Sequence, residues 1–89
     1  MHEHALMSDL MLQILKTAEN EKAHAVVGVS VWLGALSHMS PDHFAEHFEQ
    51  AAAGTIAEGA AIATAASTDI HDPHAADVVL QGIEVETGP

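Results

Sequence analysis

The spacing of the apolar residues changes near residue 23, and this change limits the possible fold more than any other feature of the chain. Between about Glu3 and Ala23 apolar residues recur every three or four positions, as in a helix with one buried stripe. The residues of this stripe are Met7, Leu10, Met11, Ile14 and Ala18. From His24 to Gly34 the pattern has a period of two, which predicts a strand. One face of this strand is expected to carry Val27, Val29, Val31 and Leu33, and the other Val26, Gly28, Ser30 and Trp32.

A second helix is expected to begin at Ser40-Pro41-Asp42. This segment combines a hydroxyl cap, a proline at the first helical position and an acid near the positive end of the helix dipole. Gly54 is placed to end the helix in a left-handed turn. The residues expected to pack this helix onto the core are Phe44, Phe48, Ala51 and Ala52.

Two more strands complete the predicted sheet. Ala60 to Ile70 is interpreted as a strand, although alanine is a poor strand former. His71 to His74 reads as a turn, and Val78 to Glu86 as the last strand. In the last strand, the residues expected to face the core are Ile83 and Val85, and those facing water are Glu84 and Glu86. The expected fold class is α/β (α+β): a small three-stranded sheet packed against two helices, as one domain over residues 1–89.

Composition limits the core and the partners of the chain. Aromatic residues make up only 3%, so an aliphatic core is expected around Trp32, Phe44 and Phe48. Two Lys against 13 Asp and Glu give a net charge of −11, which argues against binding to nucleic acid or to anionic membranes. There is no cysteine, which excludes disulfides and zinc–thiolate sites. No secretory signal or bilayer-spanning segment is recognisable, and a cytoplasmic protein is expected.

The amino terminus carries the strongest candidate for chemistry. A terminal amine on Met1, the backbone nitrogen of His2 and the His2 imidazole are close enough in the covalent chain to chelate one metal ion. Such nitrogen donors suit Ni(II) or Cu(II). We expect Met1 to be retained, because removal of the initiating methionine generally requires a small second residue. On spacing alone, a mobile terminal imidazole is the more common situation.

Several segments, taken in order, resemble one family. They are Met1-His2-Glu3, Leu33-Gly34-Ala35-Leu36-Ser37, Ser40-Pro41 with Phe44 and Phe48, Gly54-Thr55 with Ala57-Glu58-Gly59-Ala60, and Ile83-Glu84-Val85-Glu86. Together they resemble the HypA/HybF family of nickel metallochaperones. The resemblance implies a Ni(II)-binding protein that helps deliver nickel to [NiFe] hydrogenase, or in some organisms to urease. It also implies two partners, a nickel-handling maturation GTPase and the hydrogenase large-subunit precursor.

The resemblance also assigns the site. It implies that His2 is the nickel ligand, that the amino terminus of Met1 and adjacent backbone nitrogens complete the set, and that Glu3 orients the site or presents it to a partner. The family further implies a zinc module held by two Cys-x-x-Cys pairs. Because cysteines are absent, no zinc site is expected. The insertion that would hold it is interpreted as missing near residues 70–76, which leaves a single nickel-binding domain.

Other readings stay open. His43 and His47 share a face of the second helix near Glu46, a spacing found in metal sites, but a polar helix face is the favoured interpretation. Metal binding by His4, His71 or His74 is likewise undecided. The alternative to nickel delivery is a metal-independent paralogue that docks on the GTPase or the hydrogenase precursor. An enzyme is disfavoured, because no nucleophile and base constellation is found. A homodimer is a further expectation, since a missing lobe would expose apolar surface.

Overall fold

The computed structural model describes residues 2–88, with side chains from residue 5 onwards, and it has the predicted α+β architecture. Its elements are α1 (His2–Asn20), β1 (Ala23–Leu33), α2 (Pro41–Ala52), β2 (Ala61–Ala66) and β3 (Val78–Thr87). The three strands form one mixed sheet in the order β2-β1-β3, with β1 parallel to β2 and antiparallel to β3. Within residues 2–88, no helix is long and apolar enough to span a bilayer.

The core lies between the two helices and one face of the sheet. All five residues of the predicted stripe on α1 are buried, and Phe44 and Phe48 of α2 are almost fully enclosed. Trp32, in contrast, was predicted to belong to this core but lies outside it. It is half-buried on β1 and lines a cleft with Val79 and Gln81, next to the turn that carries Asp72. The core is therefore built from aliphatic side chains around two phenylalanines rather than three aromatic residues.

The predicted alternation along β1 is wrong at one step. Val26 is only 2% exposed and Val27 is 40% exposed, the reverse of the expected arrangement. Val26 pairs with Val85 and Gly28 pairs with Glu84, so Val27 is an extra residue with no partner of its own on β3. Such a β-bulge inserts one residue and shifts the alternation of faces. Val26 consequently takes the core position that Val27 was expected to fill.

Two elements end earlier than predicted. α1 stops at Asn20 and not near residue 23, because Lys22 adopts a left-handed backbone conformation (φ +57°) from which β1 starts. β2 covers residues 61–66 and not 60–70. After it, the Ser67 hydroxyl accepts a hydrogen bond from the Asp69 amide, and Asp69 in turn accepts one from the His71 amide. Such side-chain bonds to the backbone favour turns over a continued strand.

The predicted boundaries of α2 and the turn before β3 are confirmed. The Ser40 side chain accepts a hydrogen bond from the His43 amide at 3.1 Å, with Pro41 at the first helical position. Gly54 is left-handed, with φ +81°. The connection from β2 to β3, residues 67–77, consists of irregular loop and turns and folds back over the end of β1. There the amide of Gly34 donates to the carbonyl of Asp77 at 2.9 Å.

Candidate metal site at the start of the helices

Most of the nickel ligands predicted from the sequence lie outside the part of the chain that the structure describes. Met1 is outside the described residues, and so are the side chains of His2 and Glu3 and that of His4. The backbone of residues 2 and 3 is described, and it forms the first turn of α1. Backbone amides in the first turn of a helix have no intrahelical acceptor. The amide nitrogens of this segment can therefore turn to a metal ion without breaking a helical hydrogen bond.

The start of α1 lies at the end of the sheet where β1 finishes. Only two residues join α1 to β1, so the helix and the strand run in opposite directions. Leu6 and Leu10 of α1 accordingly share a cleft with Val78, which pairs with Leu33 at the end of β1. The loop of residues 34–40 then leads from β1 directly into α2. Both helices therefore begin at the same end of the molecule.

Two imidazoles meet on α2 at this end. The Nε2 atoms of His43 and His47 are 2.8 Å apart, and their ring centroids are separated by 4.6 Å. Both residues are half-buried. His47 shares a cleft with Met7 and Ser8 of α1, and His43 borders a second cleft formed by the loop before α2. The histidine pair thus lies between the first half of α1 and the loop that leads into α2.

The position of this pair follows from its neighbours in the sequence. Each histidine precedes a phenylalanine, and Phe44 and Phe48 are buried at 0% and 1% exposure. The phenylalanines fix the rotation of α2, so His43 and His47 must lie together at the edge of its buried face. The spacing of the two histidines in the sequence correctly predicts that they share a face of α2. The interpretation of this face as an ordinary polar surface did not anticipate how closely the two imidazole rings approach each other. The phenylalanine after each histidine is the signal that would have placed the pair at the edge of the buried face.

The remaining histidines of the turn are arranged differently. His74 is exposed and its Nδ1 lies 3.0 Å from a carboxylate oxygen of Asp77. His71 is also exposed. Among residues whose side chains the structure describes, no group of three or more His, Asp or Glu is close enough to hold a metal ion. Any complete ligand set on this chain therefore needs the amino-terminal residues, water or a partner.

The chain is strongly acidic, and its basic residues lie away from the start of α1. The two basic residues of the chain, Lys16 and Lys22, lie in the second half of α1 and just after it, away from its start. Asp42 is in the first turn of α2 and is exposed. A net charge of −11 raises the local concentration of divalent cations around the protein. The positive ends of both helix dipoles lie here as well, so any attraction of divalent cations comes from the net charge of the whole chain.

Comparison with known proteins gives a consistent result. A family model described as hydrogenase/urease nickel incorporation, metallochaperone, hypA matches residues 1–70. The hydrogenase maturation factor HypA of Thermococcus kodakarensis is 44% identical over 62 residues, which cover 70% of this chain and 45% of that protein. HypA of Picosynechococcus is 37% identical over 60 residues, covering 67% of this chain and 53% of that protein. The chain spans about half the length of the curated relatives it matches.

A solved structure shares the fold. The solution structure of the Ni metallochaperone HypA from Helicobacter pylori superimposes with a TM-score of 0.77 and covers 97% of this chain and 98% of that chain. Sequence identity over this superposition is 16%. At this identity the likeness concerns the arrangement of helices and strands alone.

Proposed function

The chain belongs to the HypA family of hydrogenase and urease nickel-incorporation metallochaperones, and we propose that it binds Ni(II) at its amino terminus and passes this ion on during maturation of a nickel enzyme. The amine of Met1, the backbone nitrogen of His2 and the His2 imidazole hold the ion. Glu3 orients this ligand set or presents it to a partner, as groups adjacent to metal ligands commonly do. The nickel ion is cargo, so the exchange of ligands replaces any covalent chemistry.

One observation carries the proposal. The family match starts at residue 1 and therefore includes Met1-His2-Glu3, and α1 starts at residue 2. The backbone nitrogen of His2 consequently belongs to the first turn of α1, where amides lack helical acceptors. Lys16, in contrast, lies in the second half of α1, and Lys22 lies just after its end. A terminal site of this kind is open to a partner, which suits an ion that has to leave again.

The proposed partners follow from the family and from the names of the relatives, which are hydrogenase maturation factors. They are a nickel-handling GTPase and the large-subunit precursor of a hydrogenase, with urease as a second client, and delivery takes place in the cytoplasm. Selectivity for nickel depends on metal supply and on these partners. Nitrogen ligands by themselves generally bind Cu(II) more tightly than Ni(II).

The terminal site is tested by isothermal titration of untagged protein that starts with Met1. We expect a tight Ni(II) site that is lost in His2→Ala and also when one residue is added before Met1, because the added residue moves the free amine away. His71→Ala is the matched control, since it removes an exposed imidazole elsewhere. Tight binding that persists in both His2→Ala and the extended protein would contradict the assignment.

An alternative function is supported by the connection between β2 and β3. Residues 67–77 form turns and irregular loop, the sequence has no cysteine, and the resemblance implies that the family's zinc module is inserted near here. The alternative that we propose is a metal-independent module that docks on the GTPase or on the hydrogenase precursor. Pull-down of the GTPase by wild type and by His2→Ala in the presence of a chelator separates the two functions. Undiminished capture by both proteins would favour the alternative.

Self-association is part of the proposal as well. On the face of the sheet away from the helices, Val79 is 41% exposed and lies opposite half-buried Trp32 of β1. Contiguous apolar surface of this kind often marks an interface. A homodimer that covers this face would leave the start of both helices accessible.

A further inference from the structure

We propose that His43 and His47 form a second metal site, in which both Nε2 atoms bind one divalent transition-metal ion such as Ni(II), Cu(II) or Zn(II). Imidazole nitrogen is a good ligand for each of these ions. This site uses side chains of α2, whereas the proposed amino-terminal site uses donors of Met1 and His2. Its existence does not depend on nickel delivery by the terminus.

The distance between the two rings carries the inference. Two nitrogens bound to one ion at about 2.0–2.1 Å, with an angle of 90° between them, lie about 2.9 Å apart. The Nε2 atoms of His43 and His47 are separated by 2.8 Å. A tetrahedral ion would require about 3.4 Å at the same bond length, which a small rotation of either ring provides. The pair is therefore already spaced for chelation.

The contact between the rings also prepares the site. In the metal-free protein one Nε2 donates its proton to the lone pair of the other, so the two nitrogens point towards each other. A metal ion about 2 Å from both nitrogens lies to one side of the line that joins them, so each ring turns its lone pair away from this line when the proton is lost. Side chains that are already close together lose less conformational entropy when the ligand arrives than side chains that are far apart.

The helix makes this arrangement rigid. Residues four positions apart are neighbours on one helical face. The cap at Ser40 fixes the first turn of α2 through the amide of His43, and buried Phe44 and Phe48 hold the helix against the core. The pair is also half-buried beside Met7 of α1, which limits the motion of the rings.

Two imidazoles supply only part of the ligand set of a metal ion. Among residues with described side chains, no third His, Asp or Glu joins the pair. The site should accordingly bind more weakly than the three-nitrogen terminus and exchange its ion faster. The two sites lie at the same end of the molecule, where α1 and α2 begin. The pair can therefore hold a metal ion close to the position where the cargo is bound.

The test uses the full chain with His2→Ala as background, so that the terminal site is removed and any remaining binding reports on α2. Titration with Ni(II) and with Zn(II) should show one remaining ion. Adding His43→Gln or His47→Gln should weaken its binding by about tenfold or more, since even the loss of an outer-shell partner costs a metal site 10–100-fold. His71→Gln is the control for a lost imidazole and should leave binding unchanged. Circular dichroism verifies that each variant retains its helices.

A second measurement locates the ion. Nitrogen-15 spectra of histidine-labelled protein should show the Nε2 resonances of His43 and His47 shifting together as Zn(II) is added, with His71 unaffected. The inference is overturned if the His2→Ala protein binds no metal, or if His43→Gln and His47→Gln bind as the background does. It is also overturned if His2→Ala and His43→Gln each abolish a single common ion, because His43 would then belong to the terminal site. A different result would contradict the proposed terminal site, namely tight Ni(II) binding that is unchanged in His2→Ala.

Discussion

Gly34 shows how a single residue connects the sheet to the turn that follows β2. Its amide donates to the carbonyl of Asp77, and the amide of Leu36 donates to the carbonyl of Ala75 at 2.7 Å. A Cβ on Gly34 would lie 2.2 Å from that Ala75 oxygen. The neighbouring atoms are backbone and cannot rotate away as a flexible side chain would. The turn can pack here only because residue 34 has no side chain.

Gly34→Ala is therefore expected to destabilise the protein by about 1–3 kcal/mol, the usual cost of forcing extra atoms into a packed region. Gly82→Ala is the matched control, because a Cβ at Gly82 in β3 meets no atom within 4 Å. Urea unfolding of both variants measures the difference. Equal stability of the two proteins would show that the turn is not packed on Gly34.

At the scale of single residues, caps and turns could be predicted from the sequence, whereas contacts between distant segments could not. The cap at Ser40 and the left-handed Gly54 follow from short-range preferences of serine, proline and glycine, and both are confirmed. The close approach of Ala75 to Gly34 joins segments about forty residues apart, and no local pattern encodes it. The same limit holds for the site. The spacing of His43 and His47 gave a shared face, but not the 2.8 Å between their nitrogens.

At the scale of elements, the bulge in β1 determines which valine belongs to the core. Val26 lies opposite Val85 with its side chain buried, while Val27 is the extra residue and points to solvent. Strict alternation in the sequence placed Val27 inside, since a pattern of period two contains no sign of an inserted residue. The type and order of all five elements were nevertheless predicted correctly, although alanine, a poor strand former, makes up most of β2.

The bulge can be tested by a matched pair of substitutions. Val26→Ala is expected to lower the free energy of unfolding by about 2 kcal/mol, through loss of buried apolar area and the cavity that remains. Val27→Ala removes the same atoms from a side chain that is 40% exposed, so a smaller loss of under about 1 kcal/mol is expected. Denaturant unfolding of the wild type and of both variants shows which substitution lowers the free energy of unfolding more. A larger loss in Val27→Ala would restore the alternation expected from the sequence.

At the scale of the whole molecule, the two proposed metal sites differ in how they relate to folding. The terminal donors are adjacent in the chain and remain adjacent when the protein unfolds. The nitrogens of His43 and His47 are brought together by α2, and an unfolded chain does not keep them 2.8 Å apart. The amino-terminal metal site was assigned from the resemblance to the family, because a single histidine near the terminus forms no recognisable sequence motif by itself. The α2 site depends on a distance that only the folded chain provides.

Nickel should consequently stabilise the fold through one site and not through the other. A ligand that binds only the native state adds about 2.7 kcal/mol at a free concentration of 100 times its Kd, and any binding to the unfolded chain reduces this gain. In the His2→Ala protein, where only the α2 pair remains, saturating Ni(II) is expected to raise the melting temperature measured by circular dichroism.

The double variant His43→Gln/His47→Gln keeps only the terminal site, which is the opposite situation to the His2→Ala protein. Its melting temperature should change little even when titration shows the terminus to be occupied, since folded and unfolded chains bind the ion with similar affinity. A rise of equal size in both proteins would mean that the terminal donors are also organised by the fold, with ligands from outside the first three residues. A rise in neither protein would leave α2 without a metal site, because an ion that chelates His43 and His47 must favour the state in which α2 is formed.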